Sequence, residues 1–448
     1  SNTDVTITDE SDEATLTMDL QQAGIRAFKQ GQFGQAIALY QQALSHTQYN
    51  PPLQGPIFSQ LGHTYANEGD YAAALSNLAL AQAAYEVSGD RLGLVEVDIY
   101  RGLVYRRQGK TREALALLES VQPSLLEATE LEATESEATE SSSVRQQILS
   151  GEAHHNLAVV YRQLGEPNQA IALYGQAIEI WKALPAAATD HPANGQFYLG
   201  RSLNNLGNTY FSLGDLAQAQ SLYQQALTIA QSIQNRASEG RILSNLGRLE
   251  QLGGHYEQAV QHYQAALTIL NELGDRASVA STLNNLGIVY ETLGQYELAQ
   301  SSYKDSLTLA ESIGDQREVG NSLDGLGGLH YRQAHYSKAL NTYERALQVH
   351  QSVQNTEGTA ATLTNLGGVY AVLGRYDTAL TNFELAIAST ADPSVQAGIL
   401  AAQGGVYLQL GELTQAIETT QQGLDLAATV GAVPLQSHLL NQLGQIYD

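Results

Sequence analysis

Asparagine recurs at one position of a repeating sequence pattern along the chain. An amide side chain both donates and accepts hydrogen bonds, so a row of amides on one wall could bind the backbone of an extended peptide. The same amides could instead bond a neighbouring helix and set the register of the repeats, and neither residue type nor spacing separates the two interpretations. The members of this row are Asn156, Asn205, Asn245, Asn285 and Asn365.

Arginines fall on the same predicted helix faces as these amides. A guanidinium matches a carboxylate with two parallel hydrogen bonds, so clustered arginines favour an acidic partner. The alternative is a set of solvated surface side chains that bind nothing. The predicted peptide-binding arginines are Arg201, Arg241 and Arg248, with Arg162 and Arg332 on flanking repeats, and Asn208 joins the amides beside them.

The composition excludes several classes of function. The chain has 448 residues, 22 Lys and Arg against 46 Asp and Glu, and a net charge of −24, so we expect no nucleic-acid partner and no membrane insertion. It has no cysteine, which excludes thiolate metal sites and cysteine nucleophiles. The 11 histidines form no His-Glu-x-x-His pair, and neither a phosphate-binding loop nor a Gly-x-Ser-x-Gly motif occurs. We therefore predict a protein that is not an enzyme and that needs neither a metal nor a cofactor.

A Leu-Gly pair that recurs every 40 residues organises the sequence, and the amide row lies immediately before it. Each period holds two helical patterns of about 18 residues, joined by turns that contain glycine. A short connection makes the two helices antiparallel, and such hairpins bury their apolar faces only by stacking. The pairs at this spacing are Leu206-Gly207, Leu246-Gly247, Leu286-Gly287, Leu326-Gly327 and Leu366-Gly367.

Small and large residues alternate in the second helix of each hairpin, for example Ala299 followed by Tyr303. Together with the Leu-Gly pair, a Tyr four residues after its Leu and a Gly before the second helix, this pattern resembles the tetratricopeptide repeat. The resemblance covers the chain from about residue 20 onward. The long period is similar to the repeats of kinesin light chains, of Leu-Gly-Asn-type adaptors and of cyanobacterial proteins. Local departures from the pattern are Glu250, His330, Ala334, Thr420 and Gly423.

The resemblance implies an all-α, right-handed solenoid superhelix of helical hairpins. It also implies a cytoplasmic, bacterial protein-interaction scaffold that binds an extended, acidic peptide or a partner domain in its concave groove. The alternatives are a self-associating array and the regulatory repeat region of a signalling or caspase-like protease protein. Asn208 and Asn245 resemble part of the carboxylate clamp of some tetratricopeptide domains, but Asn204 and Ser281 stand where that clamp has lysine.

Interruptions of the period predict the domain organisation. The acidic insertion is either a solvated loop or helix extension, or an internal pseudo-ligand of the groove. The last segment is the first helix of a further repeat, whose open apolar face could pair with a second molecule. The predicted segments are a disordered start at 1–18, repeats 1–3 at 19–121, the acidic insertion at 122–145, repeat 4 at 146–184, a Pro-containing loop at 185–195, repeats 5–10 at 196–434 and the last helix at 435–448.

Overall fold

The computed structural model describes residues 9–47, 50–134, 140–184 and 195–447. Within these ranges the regular elements are all α-helices, and the chain divides into two units, Ser1–Gly253 and Gly254–Asp448. The predicted all-α solenoid of helical hairpins is confirmed. The helices of the first unit are α1 (Asp9–Lys29), α2 (Phe33–Ser45), α3 (Pro51–Glu68), α4 (Tyr71–Ser88), α5 (Arg91–Arg107), α6 (Thr111–Thr134), α7 (Glu140–Gln163), α8 (Pro167–Ala183), α9 (Gly195–Ser212), α10 (Leu216–Ser232) and α11 (Arg236–Leu252).

The second unit continues the same alternation of first and second helices. Its helices are α12 (Tyr256–Leu273), α13 (Arg276–Thr292), α14 (Tyr296–Ile313), α15 (Gln316–Arg332), α16 (Tyr336–Ser352), α17 (Thr356–Val372), α18 (Tyr376–Ser389), α19 (Pro393–Leu410), α20 (Leu413–Thr429) and α21 (Val433–Tyr447). No helix among the described residues combines the length and the apolar character that a membrane span requires.

Three predicted boundaries differ from the helix ends or fall partly outside the described residues. Helix α1 begins at Asp9, ahead of the expected start of the first repeat at residue 19. Helix α6 extends to Thr134 and α7 begins at Glu140, so both helices enter the predicted acidic insertion. Residues 1–8, 135–139 and 185–194 lie outside the described part of the chain, and with them most of the predicted Pro-containing loop.

Glycine and aspartate in the connections end one helix and begin the next. Gly274 follows α12 with a φ of 68°, a left-handed conformation that glycine adopts without steric cost. The next residue, Asp275, accepts a hydrogen bond from the Ser278 backbone N–H at 3.2 Å and so caps α13. This local chemistry is why the hairpins are joined by tight turns.

In several hairpins a glycine on the first helix faces an aromatic ring on the second, whereas Gly62 and Gly102 face Leu78 and Leu118. A Cβ on Gly207 would lie 2.7 Å from the Tyr223 ring, and one on Gly327 would lie 2.7 Å from the Tyr343 ring. Tyr223 and Tyr343 are buried. In these two hairpins the glycine of the Leu-Gly pair therefore leaves room for the ring, which a Cβ would overlap.

Ala334 departs from the glycine of the repeat and keeps the glycine backbone conformation, with a φ of 58°. A residue with a Cβ is strained there by about 1–2 kcal/mol. We expect Ala334→Gly to raise the free energy of unfolding by about 1 kcal/mol, less than the full strain because glycine gains entropy in the unfolded chain. Chemical denaturation measures this change. An Ala334→Gly variant that unfolds at a lower denaturant concentration than the wild type would show that the left-handed turn is not a source of strain.

Candidate functional site

The first helices of the hairpins line a cavity of about 330 Å³ in the first unit. Side chains from α1, α3, α5, α7, α9 and α11 contribute to its wall. The turn after α1 also approaches α11, because a Cβ on Gly31 would lie 3.0 Å from the Ala237 Cβ. The first helices thus surround the cavity, as expected for the inner wall of a solenoid.

Cations dominate the wall of this cavity. Six of the 22 Lys and Arg of the chain line it, whereas the described residues of the lining include no Asp or Glu. We call this space the arginine cavity and define it by Lys29, Arg106, Arg107, Arg162, Arg201 and Arg241. Since the chain carries a net charge of −24, this local excess of positive charge is not a consequence of composition.

The arginines lie close enough to one another to disfavour their own charges. Burial, together with the positive charges of Arg107, Arg201 and Arg162, lowers the pKa of Arg106 to about 10. Burial also lowers the pKa of Arg107, with Arg201 and Arg241 acting in the same direction. Such like-charge clusters are stabilised when an anion binds among them.

A neutral amide binds one of the arginines of the cavity. The Arg107 Nη2 donates to the Asn67 Oδ1 at 2.7 Å. The Nε atoms of Arg106 and Arg201 are buried and have no hydrogen-bond partner. Unsatisfied buried donors cost free energy, so these two N–H groups add to the cost of the like-charge cluster in the ligand-free protein.

A histidine on the cavity wall is held neutral. Burial lowers the pKa of His155 well below its usual value, and the positive charges of Arg201 and Arg106 act in the same direction. Its Nδ1 lies 2.9 Å from the Ser202 Oγ, and its Nε2 lies 3.2 Å from the Asn205 Nδ2. Because Asn205 donates, Nε2 is the acceptor and Nδ1 carries the proton. His155 therefore orients Asn205 and adds no charge to the cavity.

The structure brings five of the predicted site residues together, and the others lie elsewhere. Three of the others make contacts within the first unit. The Asn208 Oδ1 accepts from the Tyr223 hydroxyl at 2.7 Å, and the Asn245 Nδ2 donates to the Asn204 Oδ1 at 2.9 Å. The Arg248 guanidinium lies 4.3 Å from the Phe211 ring centre. The five in the arginine cavity are Asn156, Arg162, Arg201, Asn205 and Arg241.

The three remaining predicted residues are in the second unit. Asn285 is half-buried and Asn365 is exposed, and Arg332 binds the Glu291 carboxylate. Arg332 is thus an ion-pair partner within its own unit.

Sequence reasoning missed Lys29, Arg106, Arg107, Asn67, Asn204 and Asn235, all of which line the arginine cavity. A signal for one of them was present. Arg106 lies five residues after the first residue of its repeat pair, Arg101-Gly102, and Arg162 lies five residues after Leu157. The same repeat position should face the same wall, so Arg162 predicts Arg106.

The wall of the cavity also adjoins a buried acid, Glu152 on α7. Its side chain is 1% exposed, and neither carboxylate oxygen makes a hydrogen bond of good geometry. Burial raises the pKa of Glu152 to about 7, although Arg201 and the nearby Tyr198 hydroxyl favour the charged form. The carboxyl is therefore half-protonated near neutral pH.

This raised pKa makes the stability of the protein depend on pH. The native state holds the Glu152 proton up to about pH 7, whereas an unfolded Glu loses it near its ordinary pKa of 4.5, so stability falls as the pH rises through this interval. From about pH 6 to about pH 8, we expect the wild type to lose about 1 kcal/mol relative to Glu152→Gln, which cannot ionise. Denaturation of both proteins at the two pH values measures the difference. Parallel curves would contradict the assigned pKa.

The described residues contain no cluster of three or more His, Asp or Glu side chains that could hold a metal ion. The buried His350 on α16 has both ring nitrogens engaged, Nε2 with Asp324 Oδ2 at 2.9 Å and Nδ1 with Asn355 Nδ2 at 2.9 Å. A histidine satisfied on both sides in this way packs the core of the second unit.

Models of one repeat family match most of the chain. Three models of the tetratricopeptide repeat match residues 54–125, 198–272 and 278–352, residues 153–192, and residues 325–395, respectively. No curated protein matches the chain at a significant level.

Solved structures of the same fold cover most of the chain at low identity. A Rap protein complexed with competence and sporulation factor is 14% identical, with a TM-score of 0.59, over 85% of this chain and 99% of that chain. The apo quorum sensor NprR from B. thuringiensis is 17% identical, with a TM-score of 0.55, over 85% and 99%. Aspartyl phosphate phosphatase F from Bacillus subtilis is 12% identical, with a TM-score of 0.53, over 87% and 96%. At these identities the likeness concerns the fold.

Proposed function

Because the chain belongs to the tetratricopeptide repeat family, we propose that it is a protein-interaction scaffold whose first unit binds an acidic peptide segment in the arginine cavity. One observation carries the proposal. Six cations line a single cavity of an acidic protein, and no Asp or Glu is among the described residues of that lining. The mutual repulsion of the arginines is relieved when anionic side chains enter.

The amides of the cavity favour a peptide over a simple anion. Asn67, Asn156, Asn204, Asn205 and Asn235 line the same wall as the arginines. Each of them makes a hydrogen bond within the first unit. An amide has two donors and an acceptor with two lone pairs, so the capacity that remains is suited to binding a peptide backbone while the arginines select charge. The Rap protein that shares this fold was solved with competence and sporulation factor, which supports the capacity of such a solenoid to hold a partner.

Fluorescence anisotropy with a labelled peptide of alternating Glu and Gly tests the proposal. Arg201→Gln is expected to weaken binding about 10- to 100-fold, since it removes a charge-assisted hydrogen-bond donor. The matched control is Arg112→Gln, which changes an exposed arginine on α6 of the same unit, outside the cavity. Raising the salt from about 50 mM to about 300 mM should weaken binding, because an electrostatic interaction is screened.

Two results would count against the acidic-peptide site. One is that the Glu-Gly peptide binds no better than a peptide with Gln in place of Glu. The other is that Arg201→Gln and Arg112→Gln have the same affinity as the wild type while circular dichroism shows that all three proteins are folded.

A further inference from the structure

The arginine cavity has more guanidiniums than one carboxylate can bind, and they come from several helices. A carboxylate is planar, and one arginine fork satisfies both of its oxygens. The cavity has five arginines, which come from four helices: Arg106 and Arg107 from α5, Arg162 from α7, Arg201 from α9 and Arg241 from α11. A ligand that engages guanidiniums from several directions at once fits this arrangement better than a planar one.

Three of these arginines line the cavity within electrostatic range of one another. Arg107 and Arg201 both lower the pKa of Arg106, and Arg201 also lowers that of Arg107. The unpartnered Nε atoms belong to Arg106 and Arg201, two members of this trio. This part of the cavity therefore offers positive charge from two helices, with the hydrogen-bonding capacity of its guanidiniums not filled by the protein.

We propose that the acidic peptide bound by the arginine cavity carries a phosphate monoester, whose phosphate lies among Arg106, Arg107 and Arg201. A phosphate presents three acceptor oxygens in a tetrahedral arrangement and a charge of about −1.5 to −2 at neutral pH, so a single group can accept from several guanidiniums. The inference rests on the proposed function, because it names the anionic group of the same peptide.

The size and neutrality of the rest of the wall agree with this assignment. A cavity of about 330 Å³ holds a phosphoserine side chain together with part of its flanking backbone. His155 is neutral, so the wall provides fixed guanidinium charge and not a titrating imidazole. Asn67 and Asn204 already accept from Arg107 and Asn245, and the hydrogen-bonding capacity that they retain faces the peptide backbone beside the phosphate.

Three labelled peptides that differ at one central position test the inference: phosphoserine, glutamate or serine. In anisotropy titrations, the phosphoserine peptide is expected to bind about tenfold or more tightly than the glutamate peptide, which in turn binds more tightly than the serine peptide. Equal affinity of the phosphoserine and glutamate peptides would overturn the phosphate assignment and leave the acidic-peptide site in place. Equal affinity of all three would overturn both.

A change of pH separates the two anions independently. A phosphate monoester has its second pKa near 6, so affinity for the phosphoserine peptide should fall from about pH 7.5 to about pH 5, more steeply than affinity for the glutamate peptide. Two groups have pKa values near this range: Lys29 on the wall, at about 8, and Glu152 behind it, at about 7. Their protonation at low pH favours either anion. The comparison between the two peptides therefore removes their contribution. Parallel pH profiles would contradict a bound dianion.

A conservative variant tests the role of the guanidinium fork. Arg106→Lys keeps the positive charge and loses the fork, so it is expected to reduce the preference for phosphoserine over glutamate, whereas Arg112→Lys should leave that preference unchanged. Inorganic phosphate should displace the phosphopeptide only at concentrations about 100-fold above the Kd of the peptide, because it lacks the backbone that the amides bind. Displacement at a concentration equal to that Kd would assign the cavity to free phosphate instead.

Discussion

Arg106→Gln is expected to make the ligand-free protein more stable and to weaken acidic-peptide binding at the same time. The gain in stability should be about 1 kcal/mol, because burial and three neighbouring arginines already hold the pKa of Arg106 down to about 10. This gain is smaller than the free energy that corresponds to the whole pKa shift, because the half-buried side chain is partly screened by solvent and the packing of its aliphatic stem is lost in the variant. Affinity for the peptide should fall about 10- to 100-fold.

Two measurements on each protein separate these opposite effects. Thermal unfolding without peptide gives the stability, and the rise in melting temperature with saturating peptide gives the binding by linkage. Arg112→Gln serves as the control and should change neither quantity, because its side chain is exposed and outside the cavity. A ligand-free Arg106→Gln protein that is less stable than the wild type would show that Arg106 is a structural residue and not part of a binding site.

The repeat architecture could be predicted from the sequence because its signals are local and recurrent. Leu286-Gly287 and Tyr303 recur with a fixed spacing, and within each unit a helix of the first kind packs on the helix of the second kind that follows it. The glycine must sit under the ring, since a Cβ on Gly287 would lie 2.7 Å from Tyr303. A contact that is repeated in one hairpin after another is visible as a column of residues.

The arginine cavity could be predicted only in part, because it depends on how the hairpins of the first unit curve. Arg201 and Arg241 occupy the same repeat position and could be placed on one wall. Lys29 reaches the same cavity only because the turn after α1 approaches α11, a contact between residues about 200 positions apart, as Gly31 and Ala237 show. No local pattern encodes that closure.

The structure bears on both interpretations of the amide row. Asn245 bonds Asn204 and Asn208 bonds Tyr223, as expected if asparagine sets the packing of helices. Asn156 and Asn205 line the arginine cavity, and they also bond the Glu152 carbonyl and the His155 ring. Packing is thus seen for these amides, and ligand contact stays a prediction for those that border a cavity, which a repeat position cannot specify.

Gly93→Ala is expected to be the most destabilising small substitution in the first unit. A Cβ at this position would lie 2.4 Å from the Tyr85 ring, far closer than van der Waals contact. The ring is 1% exposed, and its hydroxyl is held by the Glu96 carboxylate at 3.0 Å, so it cannot move aside. We expect a loss of about 2–4 kcal/mol in the free energy of unfolding, which is at the upper end for overpacking.

Gly175→Ala provides the matched control for the same substitution in the same unit. Gly175 lies inside α8, and a Cβ there would have no atom within 4 Å. Alanine should therefore stabilise this helix by about 0.5–1 kcal/mol, through its better helix propensity. Urea denaturation of both variants beside the wild type gives the two changes. The contradicting result is a change of the same size and direction in both variants. Helix propensity alone would then explain the effect of replacing glycine, and steric contact between the ring and a Cβ would not be the reason for glycine at position 93.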